Sequence, residues 1–281
     1  MDTGEKRRYT RSVSQLKGYS RCGEAFRLER MVRPRLPARP ASWLIGGTAF
    51  QTAVDAWEIA GRSYGEEKIK DDFSEHYWAG IAELKERQPD LDQWIKPPRT
   101  KTVDTDIANR LNRGLTSWIP NYLQYAERED WEIWTDPFGD LAIEVEFEWT
   151  FGNGVTIKGS IDRMLWWPRS EKVSIEDIKT GNRETDYRQP GLYGFVANRL
   201  FVEDLPNPIS HARYWYAKDG VCSDWEPIDR YTEEYLAGEY GALDRGIEHR
   251  VFVANPGDHC DLCGVRPYCR LKGFKTEGEV A

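Results

Sequence analysis

The sequence predicts an α/β (α+β) fold with a mixed central sheet, and three observations support this prediction. Apolar residues recur at helical spacing over residues 48–60, which indicates an amphipathic helix. Apolar and acidic residues alternate over residues 143–149, which indicates a half-buried strand. Along the chain the elements follow the order helix, helical insertion, three strands, helix, two strands and helix, without an internal repeat.

The composition is that of a globular chain of 281 residues, which suggests two domains or one elaborated domain. A chain of this length buries about three quarters of its unfolded surface and needs no disulfides. Its longest uncharged run, residues 40–54, is shorter than the roughly 20 apolar residues of a membrane span. Residues 1–20 are basic and polar without a secretory signal, so we expect a soluble cytoplasmic protein.

Charge is distributed unevenly along the chain. The net charge of −8 argues against a protein that coats nucleic acid non-specifically. Residues 1–40 nevertheless hold eleven Lys and Arg against four Asp and Glu. Such a basic segment on an acidic body is typical of local phosphate binding, or simply of a solvated basic helix face.

The first elements are helical. Residues 12–30 are expected to form two short helices, followed by a proline-rich extended connector over residues 33–40. Gly46-Gly47 precede the helix of residues 48–60. The spacing of that helix predicts a core face of Phe50, Val54 and Trp57 and a separate polar face of Gln51, Asp55 and Glu58.

Residues 66–131 are rich in Trp and charge and are predicted to be mostly helical. We find no chemical motif there and expect an insertion or a lid. The chain is thus expected to comprise a basic N-terminal segment (1–40), a first core helix (41–65), a helical insertion (66–135), a central core (136–230) and a C-terminal helix with a cysteine cluster (231–281).

The central core starts with a hairpin. Asn153-Gly154 form a tight turn between the strand at 143–149 and a second strand at 155–167. A third strand is expected over residues 173–178. Beyond it we expect a helix at 185–200, strands at 211–217 and 221–227, and a helix at 233–250.

The second and third strands carry the residues of greatest chemical interest. Asp177 and Lys179 share one face of their strand, because side chains alternate with period two, and Asp162 lies on the adjacent strand. Two carboxylates beside an amine form a hard-oxygen site that suits magnesium and polarises a phosphodiester. The alternative is a surface Asp–Lys pair on a hairpin.

Residues on the neighbouring helices extend this pattern of Asp162, Asp177 and Lys179. Gln189 and Tyr193 form a Q-x3-Y pair on one helix face. The ordered set G-x-x-D-R, D-x-K-T-G and Q-x3-Y resembles the RecB-like branch of the PD-(D/E)XK nuclease superfamily, and implies its restriction-endonuclease-like core. That family places G-x3-H upstream, whereas this chain has Gly47 to Gln51, with Gln in place of the usual metal-binding His.

The resemblance implies roles for these residues. Asp162, Asp177 and the backbone carbonyl of Ile178 would bind magnesium or manganese. At the position of the family's His, the Gln51 amide oxygen is a hard ligand that would reach the ion directly or through a water; the alternative is a solvent-facing Gln on an ordinary amphipathic helix. Lys179 would orient or activate the attacking water and stabilise charge on the phosphorane. Gln189 and Tyr193 would position Lys179 or the DNA backbone. Candidate DNA contacts are Arg163, Arg21 and Arg27.

Four of the five cysteines form a second candidate site. Cys260, Cys263 and Cys269 have the spacing C-x2-C-x5-C, and Cys22 precedes the core. Clustered thiols suggest a metal, and the spacing alone allows an all-cysteine zinc site in which His259 could substitute as a ligand. The family resemblance implies a 4Fe–4S cluster that joins the two ends as a four-cysteine staple.

The expected function is therefore a metal-dependent DNA exonuclease that hydrolyses phosphodiester bonds at single-stranded or frayed DNA ends, in recombination, replication or CRISPR-type processing. One alternative is a catalytically weak iron–sulfur DNA-binding protein of the same fold. Another is a zinc-stapled interaction protein without nuclease activity. No Walker A motif is present, so unwinding would need a helicase or recombination partner. Several enzymes of the family assemble into rings, so the resemblance allows a homo-oligomer without requiring one. A small stand-alone nuclease without a helicase suits a viral or prophage genome.

Overall fold

A computed structural model describes residues 10–272, so the first nine residues of the basic segment and residues 273–281 lie outside the described chain. Ser12, Thr102 and Thr232 each cap a helix by accepting a hydrogen bond from a backbone N–H three residues later. The helices are α1 (Val13–Arg21), α2 (Gly23–Arg30), α3 (Ser42–Ile59), α4 (Glu66–Arg87), α5 (Val103–Arg113), α6 (Ile119–Arg128), α7 (Arg188–Leu200) and α8 (Glu233–Glu248).

The strands form one mixed sheet. They are β1 (Thr10–Arg11), β2 (Glu132–Ile133), β3 (Ile143–Thr150), β4 (Thr156–Trp167), β5 (Lys172–Lys179), β6 (His211–Tyr216), β7 (Val221–Cys222) and β8 (Glu226–Pro227). The long strand β4 pairs antiparallel with β3 and β5, and β5 pairs parallel with β6. The predicted mixed sheet and the order of its main elements are confirmed.

The sheet lies between two helical layers. One core packs α1, α2, α7 and α8 against residues such as Ile157, Ile161 and Ile175. The other core packs α3 to α6 against Leu165, Ile178 and Trp215. The helical segment of the expected insertion therefore shares a core with α3 and covers one face of the sheet.

Helix α3 begins earlier than expected, at Ser42 instead of residue 48. Gly46 lies inside this helix and packs closely against a neighbour. A Cβ atom there would lie 3.4 Å from the Trp118 ring, which explains why a glycine is found at this position. The two glycines serve close packing and do not mark the helix start. None of the helices within residues 10–272 combines the length and apolar character that a membrane-spanning helix requires.

Candidate active site

Three carboxylates lie in one row across three neighbouring strands. Asp162 on β4 is flanked by the pairs Ile143–Arg163 and Val145–Ile161, so its opposite residue on β3 is Glu144. On the other side the β4–β5 register, extended by one residue beyond Arg163–Glu176, places Asp162 opposite Asp177. Residues directly opposite in adjacent strands bring their side chains within contact range. Asp162 thus lies between two other acidic residues.

The alternation of side chains breaks at this row. Ile161 packs into the α7 and α8 core, whereas the Arg163 side chain bonds to Asp55 and Tyr122 in the opposite layer. In a regular strand, residues two apart face the same side. The irregularity coincides with Glu144, whose φ of 50° lies in the left-handed region that side-chain-bearing residues seldom adopt.

Asp177 and Lys179 lie together at the carboxyl end of β5. The Lys179 Nζ atom is 2.6 Å from Asp177 Oδ1 and forms an ion pair with it. The Asp177 carboxylate is buried, and its Oδ2 atom has no hydrogen-bond partner among the described residues. Buried polar atoms are normally paired, so this oxygen indicates room for a ligand.

Electrostatics in the row favour a bound cation. Burial, followed by the negative charge of Asp177, raises the pKa of Asp162 well above its ordinary value. For Lys179, burial opposes protonation, but the Asp177 and Asp162 carboxylates outweigh it and raise the pKa of the amine. Lys179 is therefore a cation at neutral pH, suited to stabilising negative charge instead of accepting a proton.

Helix α7 supplies the next residues of the site. Lys179 Nζ donates to Gln189 Oε1 at 3.4 Å, and Gln189 Nε2 donates to the Tyr193 hydroxyl at 2.9 Å. Lys17 on α1 donates to the same Gln189 oxygen at 3.3 Å. Two ammonium groups therefore converge on one amide beside the carboxylate row.

Helix α3 approaches the site from the other side. A Cβ atom on Gly47 would lie 3.0 Å from Thr180 Oγ1, so this glycine permits a close approach to the end of β5. One turn later, Gln51 Nε2 donates to Glu144 Oε1 at 2.6 Å. The Gln51 side chain therefore faces the carboxylate row, but the partner it contacts is Glu144.

The expectation that Arg163 contacts phosphate is corrected. Its side chain is 0 % exposed and its Nη2 atom donates to Asp55 Oδ1 at 2.5 Å, with Tyr122 as a further partner. Burial raises the pKa of Asp55 to about 6, although the Arg163 charge opposes this shift. Arg163 neutralises a buried carboxylate because the break in β4 turns it into the core.

The other predicted basic contacts lie beside groups other than the carboxylate row. Arg21 is exposed at the end of α1 and lines a cavity with the cysteines, and Arg27 pairs with Glu24 at 2.8 Å. Ile178 has its side chain in the α3 to α6 core, and its backbone runs beside Trp215 of β6.

Four cysteines line this cavity, which we call the cysteine cavity; they are Cys22, Cys260, Cys263 and Cys269. The backbone N–H of Asn255 donates to Cys22 Sγ at 3.5 Å, which brings the segment after α8 to the end of α1. However, no three His, Cys, Asp or Glu side chains in residues 10–272 are arranged to hold a metal ion. The structure therefore does not show the expected four-cysteine staple.

Two residues of the site were missed by sequence reasoning. Glu144 belongs to a run of alternating Glu residues, and nothing in that pattern distinguishes it from Glu146 or Glu148. Lys17 lies 172 residues before Gln189, and no motif links the two. Only the register of the sheet and the packing of α1 reveal them.

The donors at the row fit a divalent cation. Carboxylate oxygens are the ligands that magnesium and manganese accept, and the neighbouring Asp162 and Asp177 side chains supply two carboxylates. The residues that would hold the ion are Asp162 and Asp177, with the Ile178 carbonyl as the expected third ligand.

Known proteins resemble this chain over most of its length. The Gene 69 protein of Mycobacterium phage D29 is 29% identical to this chain over 266 residues, covering 92% of this chain and 96% of that protein. The Gene 69 protein of Mycobacterium phage L5 is 27% identical, with 92% and 95% covered. The family model of the PD-(D/E)XK nuclease superfamily matches residues 10–270. On this match, which spans nearly the whole described chain, the protein belongs to the PD-(D/E)XK nuclease superfamily.

Proposed function

We propose that the protein is a magnesium- or manganese-dependent deoxyribonuclease that removes nucleotides from DNA ends. The observation that carries the proposal is the buried Asp177 carboxylate, whose Oδ1 atom is paired with the Lys179 ammonium at 2.6 Å and whose Oδ2 atom has no hydrogen-bond partner among the described residues. Membership of the nuclease superfamily supports hydrolysis of nucleic acid. The finer assignment to exonuclease action on single-stranded or frayed ends rests on the RecB-like order of the motifs around Asp162, Asp177 and Gln189.

Each residue has a distinct task in this proposal. A divalent cation bound by Asp162 and Asp177 would polarise the phosphodiester and lower the pKa of the attacking water. The Lys179 ammonium offsets the negative charge that develops on the oxygens of the phosphorane, because its raised pKa keeps it protonated. Gln189 and Tyr193 restrict where that ammonium points.

We also propose that the four cysteines of the cysteine cavity hold a 4Fe–4S cluster. The support is that all four thiols line one cavity, although Cys22 precedes the catalytic core and the other three follow it. Four thiolates are the usual ligands of such a cluster and of structural zinc. The cluster would join segments that are more than 230 residues apart along the chain, where closure is entropically unfavourable.

A cleavage assay on end-labelled linear DNA and on closed circular DNA tests the main proposal. The wild type should shorten linear DNA with magnesium or manganese, be inactive with a chelator, and leave closed circles intact. Asp177→Asn should lose activity, whereas Asp71→Asn, on the exposed face of α4, should retain it. Cleavage of closed circles would contradict exonuclease action, and full activity of Asp177→Asn would contradict the site itself.

A further inference from the structure

A cavity of about 380 Å³ lies on the face of the sheet opposite Asp177. It is formed where β4 ends and where β5 and β6 begin, and we call it the tryptophan cavity after Trp167 and Trp225, which line it. Ser174 of β5 lines this cavity, whereas the next residue, Ile175, packs into the α7 and α8 core. Side chains alternate along a strand, so Asp177 shares the face of Ile175. The sheet therefore separates the tryptophan cavity from the carboxylate row.

A buried guanidinium lines the tryptophan cavity. The Arg213 side chain is only 7% exposed, and its Nε atom donates to Glu176 Oε2 at 2.9 Å. Its Nη2 atom donates to the Tyr125 hydroxyl at 2.5 Å, whereas its Nη1 atom has no hydrogen-bond partner among residues 10–272. Buried polar groups are normally paired, and an arginine offers five N–H donors. Arg213 is therefore held in place with donors left for an acceptor in the cavity.

Two indole rings surround this guanidinium. The Arg213 Cζ atom lies 4.3 Å from the centroid of the Trp225 ring and 5.0 Å from that of Trp167. The two rings meet edge to face with centroids 5.7 Å apart, and Trp167 Nε1 donates to Ser174 Oγ at 2.8 Å. Trp225 is nevertheless 40% exposed. An exposed indole that is held in place by its neighbours offers a flat surface on which a nucleobase can stack.

Basic side chains line the exposed part of the tryptophan cavity. Lys172 is exposed and has no ion-pair partner within the described part of the chain. His211 is also exposed, and its Nδ1 atom lies 2.9 Å from Ser210 Oγ, which leaves Nε2 for another partner. Glu129 is the acidic residue of the lining. Cations and N–H donors beside an exposed indole match a flat ring that carries hydrogen-bond acceptors and an anionic group.

We propose that the tryptophan cavity is an accessory nucleotide site, in which a base stacks on Trp225 and accepts a hydrogen bond from Arg213 while its phosphate lies at Lys172 and His211. An apolar side chain of a protein partner would cover the indole but leave these donors unpaired, which is unfavourable. The nucleotide is either a free mononucleotide or one unit of a single strand, since both carry the same base and phosphate. Because the sheet lies between the cavity and Asp177, this nucleotide is not the one being cleaved.

Calorimetry on the full chain tests this proposal, with a chelator present so that no cleavage occurs. Thymidine monophosphate and a short oligothymidylate are titrated separately. Saturable binding of the monophosphate would identify a free nucleotide as the ligand. Saturable binding of the oligothymidylate alone would identify a unit of a single strand.

Variants of two exposed residues locate the binding in the tryptophan cavity. Trp225→Ala should weaken affinity about tenfold or more through loss of stacking, and Trp225→Phe should restore most of it. Trp78→Ala is the matched control, because Trp78 is 48% exposed on α4 outside the cavity, and it should leave affinity unchanged. Lys172→Ala should weaken affinity at low salt and have less effect at high salt, because salt screens the attraction to phosphate. Thermal unfolding checks that each variant is folded, and Lys172→Ala and Trp225→Phe keep the test valid if Trp225→Ala is not.

Three outcomes would overturn the accessory site. They are no saturable binding of either probe, equal affinity in the wild type and Trp225→Ala, and a loss of binding in Asp177→Asn but not in Trp225→Ala, which would place the nucleotide at the carboxylate row. The measurement does not use cleavage, so an absence of nuclease activity would contradict the proposed function and not this site.

Discussion

The ammonium of Lys17 donates to Oε1 of Gln189 at 3.3 Å, which joins helix α1 to the catalytic side of the sheet across 172 residues of chain. The same oxygen accepts a hydrogen bond from Lys179. Cys22 directly follows the last residue of α1, so one short helix has Lys17 at the site and ends at the cysteine cavity. The basic N-terminal segment therefore contributes a cation to the site.

We expect Lys17→Ala to lower kcat/KM on linear DNA about tenfold. The reason is that Lys17 supplies positive charge next to the substrate phosphate, and a hydrogen bond to a charged group contributes about 1.5–3 kcal/mol. Steady-state cleavage rates with magnesium check this, with the exposed Lys158→Ala on β4 as the matched control. Equal rates for both variants would show that Lys17 has only a structural role.

Lys179→Ala should reduce the cleavage rate by about 10²–10³-fold and leave DNA affinity nearly intact. The ammonium interacts with charge that exists only in the transition state, so ground-state binding needs it little. Single-turnover cleavage and fluorescence anisotropy of labelled DNA measure the two quantities separately. A parallel loss of rate and affinity would instead make Lys179 a substrate-binding residue.

Arg163→Leu should destabilise the fold by about 3–5 kcal/mol, because it leaves the Asp55 carboxylate buried without its partner. The folded-state pKa of Asp55 is raised to about 6, above its ordinary 3.8, so the folded state binds this proton more tightly than the unfolded chain. Protonation therefore favours folding. Because the Arg163 charge lowers the pKa of Asp55, its removal leaves that pKa above about 6, so the deficit should shrink as the pH falls towards about 6 and stay level below it.

Urea unfolding at pH 8 and pH 5 measures this deficit. Arg183→Leu is the control, since the Arg183 side chain is 68% exposed and its loss should change the free energy of unfolding by about 0.5 kcal/mol or less. Normal stability with weakened DNA binding in Arg163→Leu would restore the original interpretation of this residue as a phosphate contact.

Protein purified without oxygen should be brown and contain iron and sulfide, and Cys22→Ala should lose colour and solubility together. Cys222→Ala should keep both, because Cys222 lies outside the cysteine cavity. Burial raises the pKa of Cys222 to about 12, so its thiol stays protonated and is a poor ligand. Stoichiometric zinc without sulfide would contradict the cluster but not the shared four-cysteine site.

Gln51→His should shift metal preference towards manganese without loss of the fold. Imidazole is a softer ligand than an amide or carboxylate oxygen and suits transition ions better than magnesium. Binding of Mn²⁺ and Mg²⁺, each measured by calorimetry, gives the ratio of affinities in wild type and variant. An unchanged ratio would show that the side chain at this position does not reach the ion.

Local patterns predicted most of the secondary structure. The period-two run at Ile143 to Trp149 and the Asn153-Gly154 turn depend on neighbours in sequence, so the hairpin of β3 and β4 was foreseen. The predicted start of α3 is wrong, because glycine pairs commonly mark the end of a helix or a turn. Here Gly46 and Gly47 lie inside the helix and pack close to Trp118 and Thr180, which are distant in sequence and absent from any local pattern.

The sequence by itself determined which residue types can carry the chemistry: two carboxylates, a lysine and the Q-x3-Y pair, in an order that indicates a nuclease. The tertiary structure alone decided which charged residues face the site and which are buried. In a regularly alternating strand Glu144, Glu146 and Glu148 would all point to the same face. The irregularity in β3 and β4 instead places Glu144 beside the site and directs the Arg163 side chain into the core. Such a break is a property of paired strands and of the helices that cover them, and so depends on contacts between distant parts of the chain.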